Sequence, residues 1–336
     1  MKLTLCALLL VLASETYAEA PGVMPMSINV EHHDALLTGQ IFYPTDAMGD
    51  IQIFGRNPVF LGVAGQPDAG LRGGEHPVVL LSHGLGGTVR SLGWLAQGLA
   101  ARGAIVVSVN HPNSTWGDFD VAGATEHWTR AQDMSAALDY LASLPNFGEG
   151  IDQSRVMAAG FSLGGWTALS LGGVEGNLEG YRAHCNLFAE ASAHCADLLR
   201  ASVSLTDYDE MLWNASYRDT RFTHVTAIDP GLTWGLTLES TERAIDNLRL
   251  IALGAGSERL FATNFDASGL HELLPNAETD RIAPATHFTA LPVCTLIGAE
   301  VLAEEGEPPV CTDPEGVDRR EVHAMIIDLI AADLGL

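Results

Sequence analysis

The residues Arg155-Val-Met-Ala-Ala-Gly-Phe-Ser-Leu-Gly-Gly-Trp166 decide how the rest of the chain is interpreted. The apolar run Val156 to Ala159 predicts a short buried strand, and a run with helical character begins at Gly165. Between them lies a G-x-S-x-G pattern centred on Ser162. In such a pattern the serine sits where a strand turns sharply into a helix, which exposes its hydroxyl above the sheet edge. We therefore predict a nucleophilic serine at position 162.

The glycines around Ser162 fit this tight turn. A side chain two residues before or after the serine would collide there, so Gly160 and Gly164 are expected to relieve the crowding. Gly165 would let the new helix pass close to neighbouring strands. A five-residue pattern arises easily by chance, so it is weak evidence by itself. The interpretation depends on whether the rest of the chain supplies the other residues of such a site.

Composition limits the classes of partner. The chain has 336 residues, 47% of them hydrophobic, enough for one large α/β core or two modest ones. It carries 17 Lys and Arg against 42 Asp and Glu, a formal net charge of -25. A surface this negative repels nucleic acid and anionic bilayers, so we predict a neutral small-molecule partner and no nucleic-acid partner.

The N-terminus has the pattern of an export signal. Lys2 precedes the apolar run Leu3 to Ala13, which is too short to span a bilayer comfortably, and small residues near Ala18 offer a cleavage site. We predict a signal peptide over residues 1–18 and a single domain over residues 19–336. The mature protein would be secreted or periplasmic, without stable membrane insertion. An uncleaved membrane helix is the alternative.

Four cysteines remain after removal of the signal peptide, and an even number in an exported chain predicts two disulfides. They are Cys185, Cys195, Cys294 and Cys311. Pairing each with its neighbour in sequence is the simplest of the three connectivities.

No metal or organic cofactor is predicted. The sequence has no C-x-x-C motif and no tight Cys/His cluster. The triplet His32-His33-Asp34 is not taken as a ligand set, because adjacent residues of a strand point to opposite faces. Histidines at the side of a turn are predicted instead.

Strands and helices are expected to alternate along most of the chain, as in parallel crossovers. An antiparallel hairpin is predicted over Met26 to Pro44, followed by irregular chain from Asp46 to Glu75. The segment 172–221 interrupts the alternation after the serine helix, and we predict a lid-like insertion there. The predicted buried strands further along the chain are residues 77–81, 104–109, 222–228, 248–253 and 280–285.

A glycine-rich loop follows the first of these strands, at Ser82-His83-Gly84-Leu85-Gly86-Gly87-Thr88. Ligands of α/β sheets lie at such carboxyl ends. Glycines leave backbone N–H groups accessible, as an oxyanion hole requires. The amides of Leu85 and Leu163 are the predicted donors. A phosphate-binding loop is disfavoured, because the lysine of that motif is missing.

A serine nucleophile needs an imidazole base and a carboxylate that orients it. His287 is the predicted base because it follows the last predicted strand, with His271 as a weaker candidate and His83 expected to orient the glycine-rich loop. The acid is Asp229, at the end of one strand, or Glu258, after the next. We favour Asp229, which has the shorter side chain and is followed by Pro230.

The ordered set of motifs resembles the dienelactone-hydrolase-like α/β-hydrolases that include plasma-type platelet-activating-factor acetylhydrolases. The resemblance implies an α/β-hydrolase fold, with a mostly parallel central sheet and helices on both faces, and it supports Asp229 as the acid. Phe161 departs from the histidine common before the serine. The matching segments are Phe42-Tyr43-Pro44, residues 81–86, Val109-Asn110-His111-Pro112, Trp128 with Arg130 and Asp133, residues 160–165, Ala227-Ile228-Asp229 and His287-Phe288.

The predicted activity is hydrolysis of carboxylic esters through an acyl-enzyme on Ser162. Aromatic residues are expected to form an apolar pocket for a short acyl or aromatic ester. Two alternatives stay open: a non-catalytic binding protein with the same fold, and an interfacial hydrolase of lipids or polyesters. The aromatic candidates are Trp116, Phe161, Trp166, Trp234 and Phe288.

Overall fold

A ten-stranded sheet forms the centre of the computed structural model, which describes residues 20–336. The predicted signal peptide, residues 1–18, lies outside the described residues. The order across the sheet is β12-β11-β10-β9-β5-β6-β2-β1-β4-β3, while β7 and β8 form a separate ribbon. The strands are β1 (Gly22–Ile28), β2 (Leu37–Tyr43), β3 (Gln52–Phe54), β4 (Val63–Pro67), β5 (His76–Ser82), β6 (Ile105–Asn110), β7 (Ser114–Thr115), β8 (Asp118–Phe119), β9 (Ile151–Phe161), β10 (His224–Ile228), β11 (Leu248–Leu253) and β12 (Glu278–Ile282).

Six neighbouring strands run parallel, from β6 through β5, β9, β10 and β11 to β12. The predicted hairpin is confirmed as β1 and β2, which pair antiparallel. The irregular chain predicted from Asp46 to Glu75 is wrong in part, because β3 and β4 form within it. Pairing of β4 with β1, and of β3 with β4, outweighs the glycine and proline content of this segment.

Helices cover both faces of the sheet. On one face α3 and α5 pack against the strands, and on the other face α1 and α12 do so. None of the helices in residues 20–336 combines the length and apolarity needed to cross a bilayer. The helices are α1 (Gly93–Ala101), α2 (Val121–Thr125), α3 (His127–Ser143), α4 (Pro145–Gly148), α5 (Leu163–Leu171), α6 (Leu178–Phe188), α7 (Ala193–Arg200), α8 (Glu210–Trp213), α9 (Leu238–Thr241), α10 (Leu270–Leu273), α11 (Gly298–Glu305) and α12 (Arg319–Asp333).

Successive residues of β5 belong to opposite sides of the core. Val78 and Leu80 pack into the hydrophobic cluster with α3 and α5, whereas Val79 and Leu81 pack into the cluster with α1 and α12. All seven residues of this strand are buried. A strand covered on both faces has a continuous apolar sequence, and its polar neighbours are confined to its ends.

Both disulfides join cysteines that are neighbours in sequence. Cys185 is bonded to Cys195 and Cys294 to Cys311, which is the local pairing expected. The first bond lies within the segment 172–221, which contains α6, α7 and α8. Side-chain hydrogen bonds also anchor this segment, including one from Asn177 Nδ2 to the carbonyl of Gly235 at 2.7 Å.

The two histidines near the N-terminus lie in the loop between β1 and β2 rather than on a strand. Both His32 and His33 point Nε2 at the carboxylate of Asp133, at 2.8 and 3.1 Å from Oδ1. Their position agrees with the prediction of turn-side histidines, whereas the argument that neighbouring side chains point to opposite faces does not hold here. The loop frees both residues from the alternation that a strand would impose.

Candidate active site

Ser162 occupies a strained turn between β9 and α5. Its φ is 57° and its ψ is -121°, in the left-handed region that favours glycine. The N–H of Ser162 donates to the carbonyl of Ile228 on β10 at 2.9 Å, and its own carbonyl accepts from the N–H of Gly165 at 2.9 Å. The residue is half-buried. The backbone thus holds Ser162 in the sharp strand-to-helix turn predicted from its motif.

The glycines beside Ser162 allow close backbone contacts. A Cβ on Gly160 would lie 2.1 Å from the carbonyl oxygen of Gly164, and a Cβ on Gly164 would lie 1.9 Å from that of Ser82. A Cβ on Gly165 would lie 3.0 Å from Cα of Pro230. The first two separations are impossible for a real Cβ, so any side chain at these positions would displace the turn.

Asp229 and His287 are hydrogen-bonded to each other. Asp229 follows β10 with a φ of 44° and is completely buried. Nδ1 of His287 lies 2.9 Å from Oδ2 of Asp229, and because a carboxylate only accepts, Nδ1 carries the hydrogen. The other carboxylate oxygen accepts from the N–H of Leu253 at 3.1 Å and from Nη2 of Arg259 at 3.3 Å. These contacts fix the tautomer of His287 and leave its Nε2 to face other groups.

His287 also packs beside the serine turn. Its ring centroid lies 4.4 Å from that of Phe161, the residue immediately before Ser162. The alternative acid, Glu258, is exposed, and its carboxylate lies 3.4 Å from the backbone N–H of Ala255 in its own turn. The weaker base candidate, His271, has a side chain that is 40% exposed. The structure therefore places Asp229, and not Glu258, against His287.

The glycine-rich loop after β5 abuts the serine. A Cβ on Gly84 would lie 3.1 Å from Cβ of Ser162. The N–H of Gly87 donates to the carbonyl of Gly84 at 3.0 Å, which makes a turn with Leu85 and Gly86 at its centre, and Gly86 has a φ of 68°. Leu163 is the first residue of α5, so its N–H has no acceptor within the helix. Leu163 directly follows the serine, and Gly84, the residue before Leu85, approaches the serine from the glycine-rich loop.

Buried side chains anchor this loop. His83 points Nδ1 at the carbonyl of Gly84 at 2.7 Å and accepts at Nε2 from the N–H of His111 at 3.3 Å. Burial, followed by the nearby positive charge of Arg130, holds the pKa of His83 well below its usual value. Arg130 donates to the carbonyl of His83 and, at 2.6 Å, to Oγ of Ser114. His83 thus orients the loop, as the sequence indicated, and Arg130 has an anchoring role that the sequence did not reveal.

His194, on α7, lies beside the serine turn. A Cβ on Gly231 would lie 3.7 Å from Cε1 of His194 and 3.7 Å from the nitrogen of Leu163. Burial lowers the pKa of His194 to about 4, so the ring is neutral at physiological pH. Sequence reasoning missed this residue, because nothing in a short polar helix signals where tertiary packing will place it.

Aromatic side chains flank the site on two sides. Trp116 and Phe119, 74% and 48% exposed, lie on the β7–β8 ribbon. The N–H of Trp116 donates to the carbonyl of Gly87, which ties the ribbon to the glycine-rich loop. On the other side Trp234 packs against Phe261, with centroids 4.6 Å apart.

The five predicted pocket aromatics separate into different environments. Trp166 is buried in the core, so it does not line a pocket. Phe161 lies under His287, while Phe288 and Trp234 are half-buried. Phe261 was not anticipated, because its placement depends on a loop whose path the sequence does not reveal.

Comparison with solved structures supports the fold. A scan against protein-family models finds no match, and no curated protein sequence matches the chain. A ferulic acid esterase from Streptomyces cinnamoneus superimposes with a TM-score of 0.54 at 16% sequence identity, over 96% of this chain and 91% of that one. A candidate dipeptidyl aminopeptidase IV from Bacteroides ovatus gives a TM-score of 0.49 at 14% identity, over 95% of this chain and 36% of that one. The mostly parallel sheet and the likeness to the esterase show an α/β-hydrolase fold.

Proposed function

We propose that this protein is an exported serine hydrolase that cleaves carboxylic esters, related to the dienelactone-hydrolase-like α/β-hydrolases. The observation that carries the proposal is the 2.9 Å contact between His287 and Asp229, beside the strained turn of Ser162. A buried carboxylate that orients an imidazole next to a serine turn is the arrangement that nucleophilic catalysis by serine requires. The two disulfides support export.

In the proposed reaction Ser162 Oγ attacks the ester carbonyl while Nε2 of His287 removes its proton. The same nitrogen then passes the proton to the departing alcohol, which leaves an acyl group on Ser162. Water, activated by His287, hydrolyses that acyl-enzyme. The carboxylate of Asp229 stabilises the imidazolium, and the amides of Leu85 and Leu163 stabilise the oxyanion.

The surroundings of the site support a short acyl or aromatic ester as substrate. The exposed side chains of Trp116 and Phe119 lie beside the glycine-rich loop, and Trp234 packs with Phe261 to form a second apolar surface. Aromatic walls bind flat apolar groups without requiring charge. The structural neighbour from Streptomyces is named a ferulic acid esterase, and ferulic acid is an aromatic carboxylic acid, which is in line with this substrate class.

A panel of esters tests this proposal. Purified protein is assayed with p-nitrophenyl acetate, butyrate and octanoate and with a methyl ester of an aromatic acid, in parallel with Ser162→Ala. We expect turnover of the acetate or the aromatic ester, and loss of turnover to the uncatalysed rate in the variant. Equal hydrolysis by both proteins would contradict the proposal.

A second candidate, an interfacial hydrolase, is favoured by the exposed apolar side chains on both flanks. Trp116 on one flank and Leu187 and Phe188 on the segment 172–221 are 74%, 77% and 39% exposed. Exposed apolar patches mark surfaces that contact other apolar material. A sharp rise in the rate above the solubility limit of a long-chain ester would indicate the interfacial activity, and a rate that levels off there would exclude it.

A further inference from the structure

A cluster of histidines around a buried carboxylate lies in the contact between the β1–β2 loop and α3. Oδ1 of Asp133 is 2.8 Å from Nε2 of His32 and 3.1 Å from Nε2 of His33. The three potential ligand atoms all lie within 4.8 Å of one another. Two imidazole nitrogens and one carboxylate oxygen thus converge on one point.

The protein alone does not satisfy all the polar groups of this cluster. The side chain of His33 is only 6% exposed, and its Nε2 is buried without a hydrogen-bond partner among the described residues. This nitrogen lies 3.1 Å from Oδ1 of Asp133, but the angle of approach does not allow a hydrogen bond between them. Leaving a buried polar group unpaired costs free energy. A ligand that accepts the lone pair of His33 Nε2 would therefore stabilise the site.

No Lys or Arg side chain among the described residues forms an ion pair with this carboxylate. Asp133 is completely buried, and within residues 20–336 its ion-pair partners are all histidines. A buried carboxylate surrounded by imidazoles favours a bound cation.

We propose that His32 Nε2, His33 Nε2 and Asp133 Oδ1 bind a divalent transition metal of the Zn²⁺ type. Bonds from Zn²⁺ to imidazole nitrogen and to carboxylate oxygen are about 2.0–2.2 Å long, which sets tetrahedral ligand atoms about 3.4 Å apart. The two Nε2 to Oδ1 separations, 2.8 and 3.1 Å, would need to open by a few tenths of an ångström to admit the ion. Two imidazoles favour zinc-like ions over Ca²⁺ and Mg²⁺, which prefer oxygen ligands.

The surroundings of the cluster fit a metal centre. His111 holds the second oxygen of Asp133 at 2.7 Å through Nδ1, as a residue behind a metal ligand commonly does. His32 is 21% exposed and borders an open cleft with Gln132 and Ser135, which provides an entry path and room for a water ligand. The net charge of -25 raises the local concentration of cations.

The metal would stabilise the glycine-rich loop and would take no part in the reaction. His111 Nε2 accepts from Oγ of Ser82 at 2.8 Å, and Ser82 Oγ in turn accepts from Arg130, which anchors the carbonyl of His83. The site thus connects the β1–β2 loop, through this chain of hydrogen bonds, to the backbone that precedes Leu85.

Metal binding by the purified protein tests the inference without reference to activity. After dialysis against a chelator, the protein is titrated with ZnSO₄ by calorimetry, and CaCl₂ serves as the control ion. We expect one Zn²⁺ per chain and no response to Ca²⁺. His33→Ala and His32→Gln are expected to weaken binding at least about tenfold, whereas His271→Ala, which changes an exposed histidine elsewhere, leaves it unchanged.

Thermal unfolding gives a second readout that does not depend on one variant. Zn²⁺ in excess should raise the unfolding midpoint of the wild type by several degrees and that of His32→Gln much less. Absence of a one-to-one site in the wild type would overturn the inference. It would also be overturned by equal binding in the wild type, His33→Ala and His32→Gln.

Discussion

Two regions meet at Ser162, and they are held in place by different forces. The sheet edge carries Ser162, Asp229 and His287, and its backbone is fixed by ladders of hydrogen bonds between parallel strands. The segment 172–221 is held by side-chain contacts, single hydrogen bonds and the bond between Cys185 and Cys195. The sheet edge is therefore suited to hold reacting groups in fixed positions. The segment 172–221 is suited to determine which substrates reach those groups.

The largest effect is expected at the sheet edge, from Asp229→Asn. An amide in place of the carboxylate would favour the wrong tautomer of His287, and such a change lowers kcat about 10⁴-fold in comparable triads. Glu258→Gln is the matched control, because it makes the same chemical change on an exposed side chain, and it should alter kcat less than about twofold. Steady-state kinetics of both variants decides the point, and the reverse ranking would assign the acid to Glu258.

A second effect is expected where the two regions touch, at His127. This buried ring packs edge-on against Trp166 of α5, with centroids 5.3 Å apart, and against Trp213 of α8, with centroids 4.8 Å apart. Burial lowers the pKa of His127 to about 3. In the unfolded chain His127 is therefore protonated below about pH 6.5, whereas in the folded chain it is protonated only below about pH 3. The free energy of unfolding therefore falls as the pH falls through this window.

His127→Phe should remove that loss. Between pH 7 and pH 5 the free energy of unfolding of the wild type should fall by about 2 kcal/mol through this one residue. Urea unfolding at both pH values measures it, and the variant should show a smaller difference. An equal pH dependence in both proteins would show that His127 does not couple acid to the contact between the regions.

A smaller effect is expected within the segment, from His194→Ala. The ring lies beside Gly231 and the amide of Leu163, so its removal should open space for a longer acyl chain. We expect kcat/KM for p-nitrophenyl butyrate, relative to the acetate, to rise by up to about tenfold, the scale of one or two methylenes in a pocket. His271→Ala, on an exposed surface, should leave this ratio unchanged, and a His194→Ala variant with the wild-type ratio would place the ring outside the acyl site.

The difference between the regions also explains how much the sequence could predict. Positions at strand ends, such as Ser162, Asp229 and His287, follow from apolar runs and from the rule that parallel strands end at one edge. The local pairing of the cysteines was the simplest of three possible connectivities, and the structure confirms it. The catalytic roles of the strand-end residues stay predictions.

Residues placed by tertiary packing could not be predicted. His194 reaches the serine turn through the docking of a short helix, and Arg130 reaches His83 through a long side chain. The convergence of His32 and His33 on Asp133 could not be predicted, because it joins a loop to a helix about 100 residues away in sequence. Periodicity informs about regular elements, whereas loops and insertions depend on contacts distant in sequence.

The most direct test of the central claim is labelling with a fluorophosphonate, which reacts with an activated serine and not with an ordinary one. The protein is treated with the probe, digested and mapped by mass spectrometry, with Ser162→Ala as the control. We predict one stoichiometric label on the peptide that contains Ser162 and none in the variant. Absence of label on a folded wild-type protein, or label at another serine, would contradict the account.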